Sequence, residues 1–286
     1  MRALPYPPQL ESEGESRERH PGRQQFRVGM LRGVTALVSG GGSGLGAAVS
    51  RRIVEGGGRV LISDVNEAAG AGLAGALGPS AVFARTDCTS ESEVEQALDL
   101  AASAFGCAIS AAVSTAGVAA AAKTVNAKGK VHPLGSFEST LRVNVLGTFN
   151  VARLAAQRMA VRQPDPATGE RGVIVNTASI AAFDGQAGQV AYAASKGAVV
   201  GMTLPMARDL APLGIRVCTV APGIFDTPMM AAAPDAVREG LAASIPFPSR
   251  FGQPDEFAAL VESLLLNSYL NGEVVRLDGA VRMASS

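Results

Sequence analysis

The sequence predicts an α/β protein built on one doubly wound parallel sheet of seven strands. Two observations carry most of that reading. Seven short, nearly continuous apolar runs recur between longer stretches of helical periodicity, and the first run ends in the glycine-rich turn Ser39-Gly40-Gly41-Gly42-Ser43-Gly44-Leu45-Gly46. A strand that is apolar on both faces has to be covered on both faces, and a helical crossover returns the chain to a parallel neighbour. A strand running through glycines into a helix opens a Rossmann fold. At 286 residues, with 47% hydrophobic side chains and 33 glycines, the chain suits a single large domain of this kind.

Residues 1–29 stand apart. They hold four prolines, the mixed-charge run ESEGESRERHPGR and few apolar side chains, and are read as a disordered tail ahead of a domain spanning 30–286. Glu11, Glu13, Glu15 and Glu18 break the acid-poor pattern of a mitochondrial presequence, and no apolar stretch suits a secretory signal. A cytoplasmic protein is the expectation. The strands follow at 34–40, 59–64, 81–87, 109–117, 172–179, 215–223 and 273–279. Between them helical patterns run through VSRRIVEGG, from about Ser90 to Phe105, over 137–159 and over 192–214. Pro205 inside the last of these predicts a kink.

Composition removes several chemistries. The 25 basic and 25 acidic side chains cancel, which argues against a broad nucleic-acid surface. No apolar run is long enough to span a bilayer. Cys88, Cys107 and Cys218 are too widely spaced for a metal knuckle, and His20 and His132 are the only histidines, so no metal site is expected and a Ser-His-Asp hydrolase is disfavoured. Only four of the basic residues are lysines: Lys123, Lys128, Lys130 and Lys196. An Ala-, Gly- and Arg-rich chain points to a GC-rich genome, and a bacterial source is expected.

Gly40, Gly44 and Gly46 sit where missing side chains let the turn close, let a pyrophosphate approach the backbone and let the helix pack on the sheet. The helix N-terminus offers free N–H groups to negative charge. Asp64 ends the second strand, eighteen residues after Gly46, where a carboxylate accepts hydrogen bonds from an adenosine ribose and repels a 2′-phosphate. The same residue is also placed to cap the next helix. Asp87, ending the third strand, has the same two readings: adenine contact or helix cap. The run Ser114-Thr115-Ala116-Gly117 ends the fourth strand on the same sheet edge. Ser179 follows the fifth strand, and Tyr192 and Lys196 come thirteen and seventeen residues later. Residues four apart on a helix share a face, so the ammonium lies near the phenol and is expected to lower its pKa into acid–base range. The plain alternative is a surface tyrosine and lysine on an amphipathic helix.

Together these motifs, with KTVNAKGKVHPL, VNVLGTFNVARL, the run RGVIVNTASIAAFDGQAGQVAYAASKGAVVGMTLPMARDLAPLGIRV, APGIFDTP, IPFPSRFG and LNGEVVRLDGAVRM, give the chain a resemblance to the short-chain dehydrogenase/reductase family over residues 31–286. Within it, the chain is similar to the branch active on 3-hydroxyacyl-CoA thioesters. The resemblance implies an NAD-dependent oxidoreductase interconverting a secondary alcohol and a ketone, with Ser179, Tyr192, Lys196 and Asn144 as catalytic tetrad. Asn144 would complete a water relay to Lys196. It further implies that Ser43, Leu45, Asp64, Asp87, Cys88, Thr115 and Gly117 line the cofactor site with Gly40, Gly44 and Gly46. Lys196 and Tyr192 would meet the nicotinamide ribose, Phe225 and Thr227 the nicotinamide end, and Gln186 the substrate with Ser179 and Tyr192. Cys88 otherwise reads as a small buried hydrophobe. Ser114, Thr115 and Asp226 depart from the family pattern, Asp226 by adding a carboxylate between two residues expected near the nicotinamide. A homotetramer is implied as well, in keeping with the apolar segment LVESLLLNSYLNGEVVRLDG. A carbonyl or steroid dehydrogenase without CoA specificity, and a non-catalytic scaffold or RNA-processing subunit, are the other functions open to such a chain. Lys128 and Lys130, in the segment KTVNAKGKVH ahead of the long helix, read either as contacts to coenzyme A phosphates or as a solvated loop.

Overall fold

The computed structural model describes residues 29–231 and 234–285, so the expected tail over 1–29 lies almost wholly outside the described residues. Its strands are β1 (Thr35–Ser39), β2 (Arg59–Asp64), β3 (Ala81–Arg85), β4 (Ala111–Ser114), β5 (Gly172–Thr177), β6 (Ile215–Pro222) and β7 (Val274–Leu277). They form one sheet in the order β3-β2-β1-β4-β5-β6-β7, parallel throughout. The strand order reverses between β1 and β4, and the crevice beyond their C-terminal ends is where ligands bind in such sheets. All seven strands stand where the apolar runs place them. Several are shorter than their runs, because the apolar runs continue past the last ladder pairs.

The helices are α1 (Gly44–Glu55), α2 (Glu67–Leu77), α3 (Glu91–Phe105), α4 (Leu134–Leu141), α5 (Thr148–Ala160), α6 (Val190–Leu210), α7 (Pro228–Ala231), α8 (Asp235–Ala243) and α9 (Pro254–Leu266). One face of the sheet buries Val38, Val60, Val113, Val175 and Val220 against α1, α2 and α9, with Phe257 fully enclosed. The other buries Leu37, Leu61, Ala112, Ile174 and Val217 against α3, α5 and α6. Each of these valines, leucines and isoleucines contributes on the order of 1.5–3 kcal/mol when fully removed from water.

Two departures from the periodicity matter. The expected continuous helix over 137–159 is α4 and α5 joined by a π-helical turn, Arg142–Gly147, which contains Asn144. And α6, with Pro205 inside it, ends at Leu210, short of the predicted 214, where a 3₁₀ turn (Ala211–Leu213) takes over. Two arginines cross-link distant elements. Arg52 of α1 pairs with Glu262 of α9 at 3.0 Å. Arg216 of β6 donates to both carboxylate oxygens of Glu170 and to the carbonyls of Leu264, Leu265 and Leu270, which answers the charge of a side chain that is 6% exposed. Among the described residues no helix is long and apolar enough to cross a membrane.

Candidate active site

The turn after β1 has almost no room. Gly40 has φ +71°, and a Cβ there would lie 2.6 Å from the backbone nitrogen of Ala116. A Cβ on Gly46 would run into the carbonyl of Gly40. Thr115 closes the turn from the side of β4, its hydroxyl donating to the carbonyl of Ser39 at 2.7 Å. Ser43 caps α1 without a side-chain hydrogen bond, and the first turn, which holds Gly44, Leu45 and Gly46, carries no acidic residue. Its N–H groups are therefore left for an external anion. These residues fit a dinucleotide pyrophosphate.

Asp64 turns out to brace this cradle. One carboxylate oxygen accepts from Gly42 N at 2.9 Å and the other from Asn66 N at 2.9 Å. The helix cap proper is Asn66, whose side chain accepts from Ala69 N. Arg85 is in register with Asp64 across β3, but its guanidinium turns to Glu93 at 3.6 Å. Asp87 likewise does not cap α3, a role taken by Ser90; its carboxylate accepts from the backbone and hydroxyl of Thr89. Cys88 is buried with its sulfur against Gly147, and burial lifts its thiol to about 11. It serves as packing under the π turn.

That turn delivers Asn144. The side chain is fully buried; Oδ1 accepts from Val118 N at 2.8 Å, and Nδ2 donates to Val118 O and to Ser195 Oγ, each at 2.9 Å. Ser195 Oγ in turn donates to the carbonyl of Tyr192 at 2.7 Å. Both amide donors are thus taken, so the side chain positions β4's exit against α6 and keeps only a lone pair for a water. Ser195 was not among the candidates. A serine inside a helix between the tyrosine and the lysine is the available signal, since such a hydroxyl bonds a carbonyl one turn back.

Ser179, Tyr192 and Lys196 converge. Ser179 Oγ accepts from Ala181 N at 3.1 Å, which leaves its own proton for the phenol oxygen of Tyr192. Lys196 is 5% exposed, with Nζ 5.8 Å from the centre of the Tyr192 ring and donating to the carbonyl of Thr177 at 2.8 Å. Burial pulls the ammonium down from 10.5 to about 8. The expected lowering of the phenol is corrected: burial raises Tyr192 above its ordinary value, and the Ser179 hydrogen bond opposes this only in part.

The remaining candidates divide. Thr227 lies over the glycine turn, its Cγ2 in ordinary contact range of a Cβ built on Gly44. The ring of Phe225 packs edge-on to Phe257 in the core, 6.2 Å between centroids. Asp226 turns to Arg238 of α8 at 3.1 Å. Gln186 is held by its neighbours: Nε2 donates to the carbonyl of Ala284, and Oε1 accepts from Gln189. Lys128 and Lys130 are exposed on a small hairpin closed by a Val125–Val131 bridge, with Asn126 Oδ1 accepting from both their backbone nitrogens. The hairpin meets the loop before Tyr192 through Ala122 N and Gly188 O at 2.9 Å.

A glycine cradle for a dinucleotide, set beside a serine–tyrosine–lysine group at the switch point of a parallel sheet, defines a nicotinamide-dependent oxidoreductase. The model of the short chain dehydrogenase family matches residues 34–238, and the chain belongs to that family. It is 53% identical over 254 residues to the 3-hydroxyacyl-CoA dehydrogenase type-2 of Bos taurus, covering 88% of this chain and 97% of that one. The Homo sapiens protein of the same name is 52% identical over the same span. The crystal structure of a 3-hydroxyacyl-CoA dehydrogenase type-2 from Mycobacterium avium superposes with a TM-score of 0.84 at 43% identity, covering 90% of this chain and 99% of that one.

Proposed function

We propose that the protein is an NAD-dependent dehydrogenase that interconverts 3-hydroxyacyl-CoA and 3-oxoacyl-CoA. The observation that carries the reading is the convergence of Tyr192 with the buried Ser179 and Lys196, in a chain whose relatives bear that substrate in their names. In oxidation, the Tyr192 phenolate takes the hydroxyl proton while Ser179 holds the same substrate oxygen. Lys196, held by Thr177, places its Nζ beside the Tyr192 ring, where its charge, present below about pH 8, favours the phenolate. Asn144 and Ser195 fix the helix that carries both. Gly40, Ser43, Gly44, Leu45, Gly46, Asp64 and Thr227 would hold the dinucleotide, whose nicotinamide ring accepts the hydride from the alcohol carbon when bound.

The preference for NAD rests on Asp64, a carboxylate that among the described residues has no ion-pair partner, at the strand end where a 2′-phosphate would lie. Asp64→Ala is expected to reduce the NAD-over-NADP ratio of kcat/KM by tenfold or more, which is about 1.4 kcal/mol. A wild-type preference for NADP would overturn the assignment.

The CoA thioester reading is supported by the Lys128–Lys130 hairpin beside the substrate loop. Among the described residues neither lysine has an ion-pair partner. In a panel of 3-hydroxyacyl-CoA thioesters, free alcohols and steroids, the thioesters should be turned over best. Lys128→Ala with Lys130→Ala should cost about tenfold in kcat/KM for the thioester, less at high salt, and little for a free alcohol. Equal loss on both substrates, or none, leaves the hairpin as solvated surface.

The homotetramer belongs to the same reading. Leu146, Phe149 and Leu204 stand exposed on the π turn, α5 and α6, an apolar surface suited to a second copy. Light scattering at micromolar concentration should give about four chain masses, and a monomer mass would refute it. The cytoplasmic, bacterial placement goes with this reading and stands on composition alone.

A further inference from the structure

Ser179 and Tyr192 are joined by a short 3₁₀ turn (Ile180–Ala182) and then a loop, residues 183–189, that has no ladder of its own. Something else must hold that loop, because it separates the two residues that meet the substrate oxygen. On one side Gly188 O accepts from Ala122 N. On the other side the contacts centre on Arg276 of β7. Its Nη2 donates to Asp184 Oδ2 at 2.6 Å and to the carbonyl of Val281 at 3.2 Å, and its Nε to Asp278 Oδ2 at 2.7 Å. The guanidinium carbon also lies 5.3 Å from the centre of the Phe183 ring. The three charged side chains are 21%, 19% and 9% exposed, so water screens them weakly. Asp184 is held below the usual carboxylate range by its hydrogen bond from Arg276.

The segment that Arg276 fixes reaches the loop a second time. Ser285 O accepts from Ala187 N at 3.1 Å, and Ala284 O from Gln186 Nε2 at 3.2 Å. One side chain therefore ties the loop's start, at Phe183 and Asp184, to the segment 278–285 that backs its middle. We propose that Arg276 is a positioning residue for substrate: through Asp184 and the 278–285 segment it sets the wall formed by loop 183–189 beside Ser179 and Tyr192. It touches no part of the dinucleotide cradle, so its influence falls on substrate and not on cofactor. A planar guanidinium is required because it serves two carboxylates and a carbonyl at once; an ammonium serves fewer in this geometry.

The inference rests on the dehydrogenase chemistry of this site and not on the CoA assignment. The test pairs kinetics with amide hydrogen exchange, using NAD and whichever of a 3-hydroxyacyl-CoA thioester or a free secondary alcohol the wild type turns over. Arg276→Gln is expected to raise KM for that substrate about tenfold, with kcat and KM for NAD within about twofold, and to speed exchange at Ala187. Arg276→Lys should recover part of the loss. Asp184→Asn, which leaves the Arg276–Asp278 pair in place, should act in the same direction, and the double variant should be no worse than Arg276→Gln alone. Unchanged substrate KM and unchanged exchange in Asp184→Asn overturn the proposal, as does a loss that falls equally on NAD and substrate. Turnover of a free alcohol but no thioester would refute the CoA reading while leaving this test intact.

Discussion

Tyr192→Phe is expected to lower kcat for alcohol oxidation by roughly 10²–10⁴-fold while leaving dinucleotide affinity close to that of the wild type. The substitution removes one oxygen from a ring that packs on the Lys196 face of α6, and the cradle of Gly40, Gly44 and Gly46 is built from other elements. Single-turnover kinetics with a tight-binding check by NADH fluorescence would separate the two quantities. The pH profile gives the sign. Oxidation requires the phenolate, and burial holds the phenol above its ordinary value. So kcat/KM for oxidation should still be climbing at alkaline pH, whereas the reverse reduction, which requires the protonated phenol, should fall there. A wild-type oxidation rate that levels off below neutral pH contradicts this account. Retention of more than a tenth of kcat in Tyr192→Phe removes the residue from the reaction.

Lys196→Met should abolish turnover and also change how stability depends on pH. The wild-type ammonium titrates at about 8 in the fold against an ordinary 10.5, a difference on the order of 3 kcal/mol. Below pH 8 both folded and unfolded chains hold the proton, and the folded state carries the full cost of a buried charge. Between 8 and 10.5 the unfolded chain holds more protons than the folded one, so stability rises with pH. Cys88, whose thiol is lifted from 9.0 to about 11, works in the opposite sense from pH 9 upward. Comparing wild type with Lys196→Met cancels that contribution. The expected result is a wild-type thermal midpoint that gains on the variant as pH rises from 7.5 to 9.5. Parallel curves would mean that the lysine is already neutral or well solvated in the fold.

The sheet was legible in the sequence because a strand covered on both faces writes itself as a nearly continuous apolar run, which β1, β4 and β5 show most plainly and which Arg216 and Arg276 interrupt in β6 and β7. The glycine turn and the Tyr192–Lys196 pair were legible for a related reason: each is a local spacing, fixed by a turn or by one helical period. What escaped depends on contacts between distant segments. The π turn at 142–147 leaves no mark in a pattern of 3.6-residue periodicity. The direction of the Tyr192 shift is set by how deeply the phenol is enclosed, and charge spacing along one helix says nothing of that. Phe225 reads equally well as a ring over a cofactor or a ring in the core until α9 is seen beneath it. Arg276 and Asp184 lie 92 residues apart, and no motif joins them.

The π turn itself carries a consequence for sequence length. Residues 134–160 hold one residue more than an even α-helix needs to join the same two ends. Deleting one residue of 145–147 would give an ordinary helix with its backbone hydrogen bonds intact, but one whose side chains on one side of the deletion are rotated by about 100°. Because α5 is anchored through Val151, Leu154, Ala155 and Met159 in the core, the rotation would fall on the stretch before it. Asn144 would swing away from Val118 and Ser195 while the sheet stayed whole. In this stretch the number of residues, as much as their identity, keeps α6 tied to the end of β4, so the loss of one codon is expected to cut turnover while the far-ultraviolet circular dichroism of the sheet and helices stays close to that of the wild type.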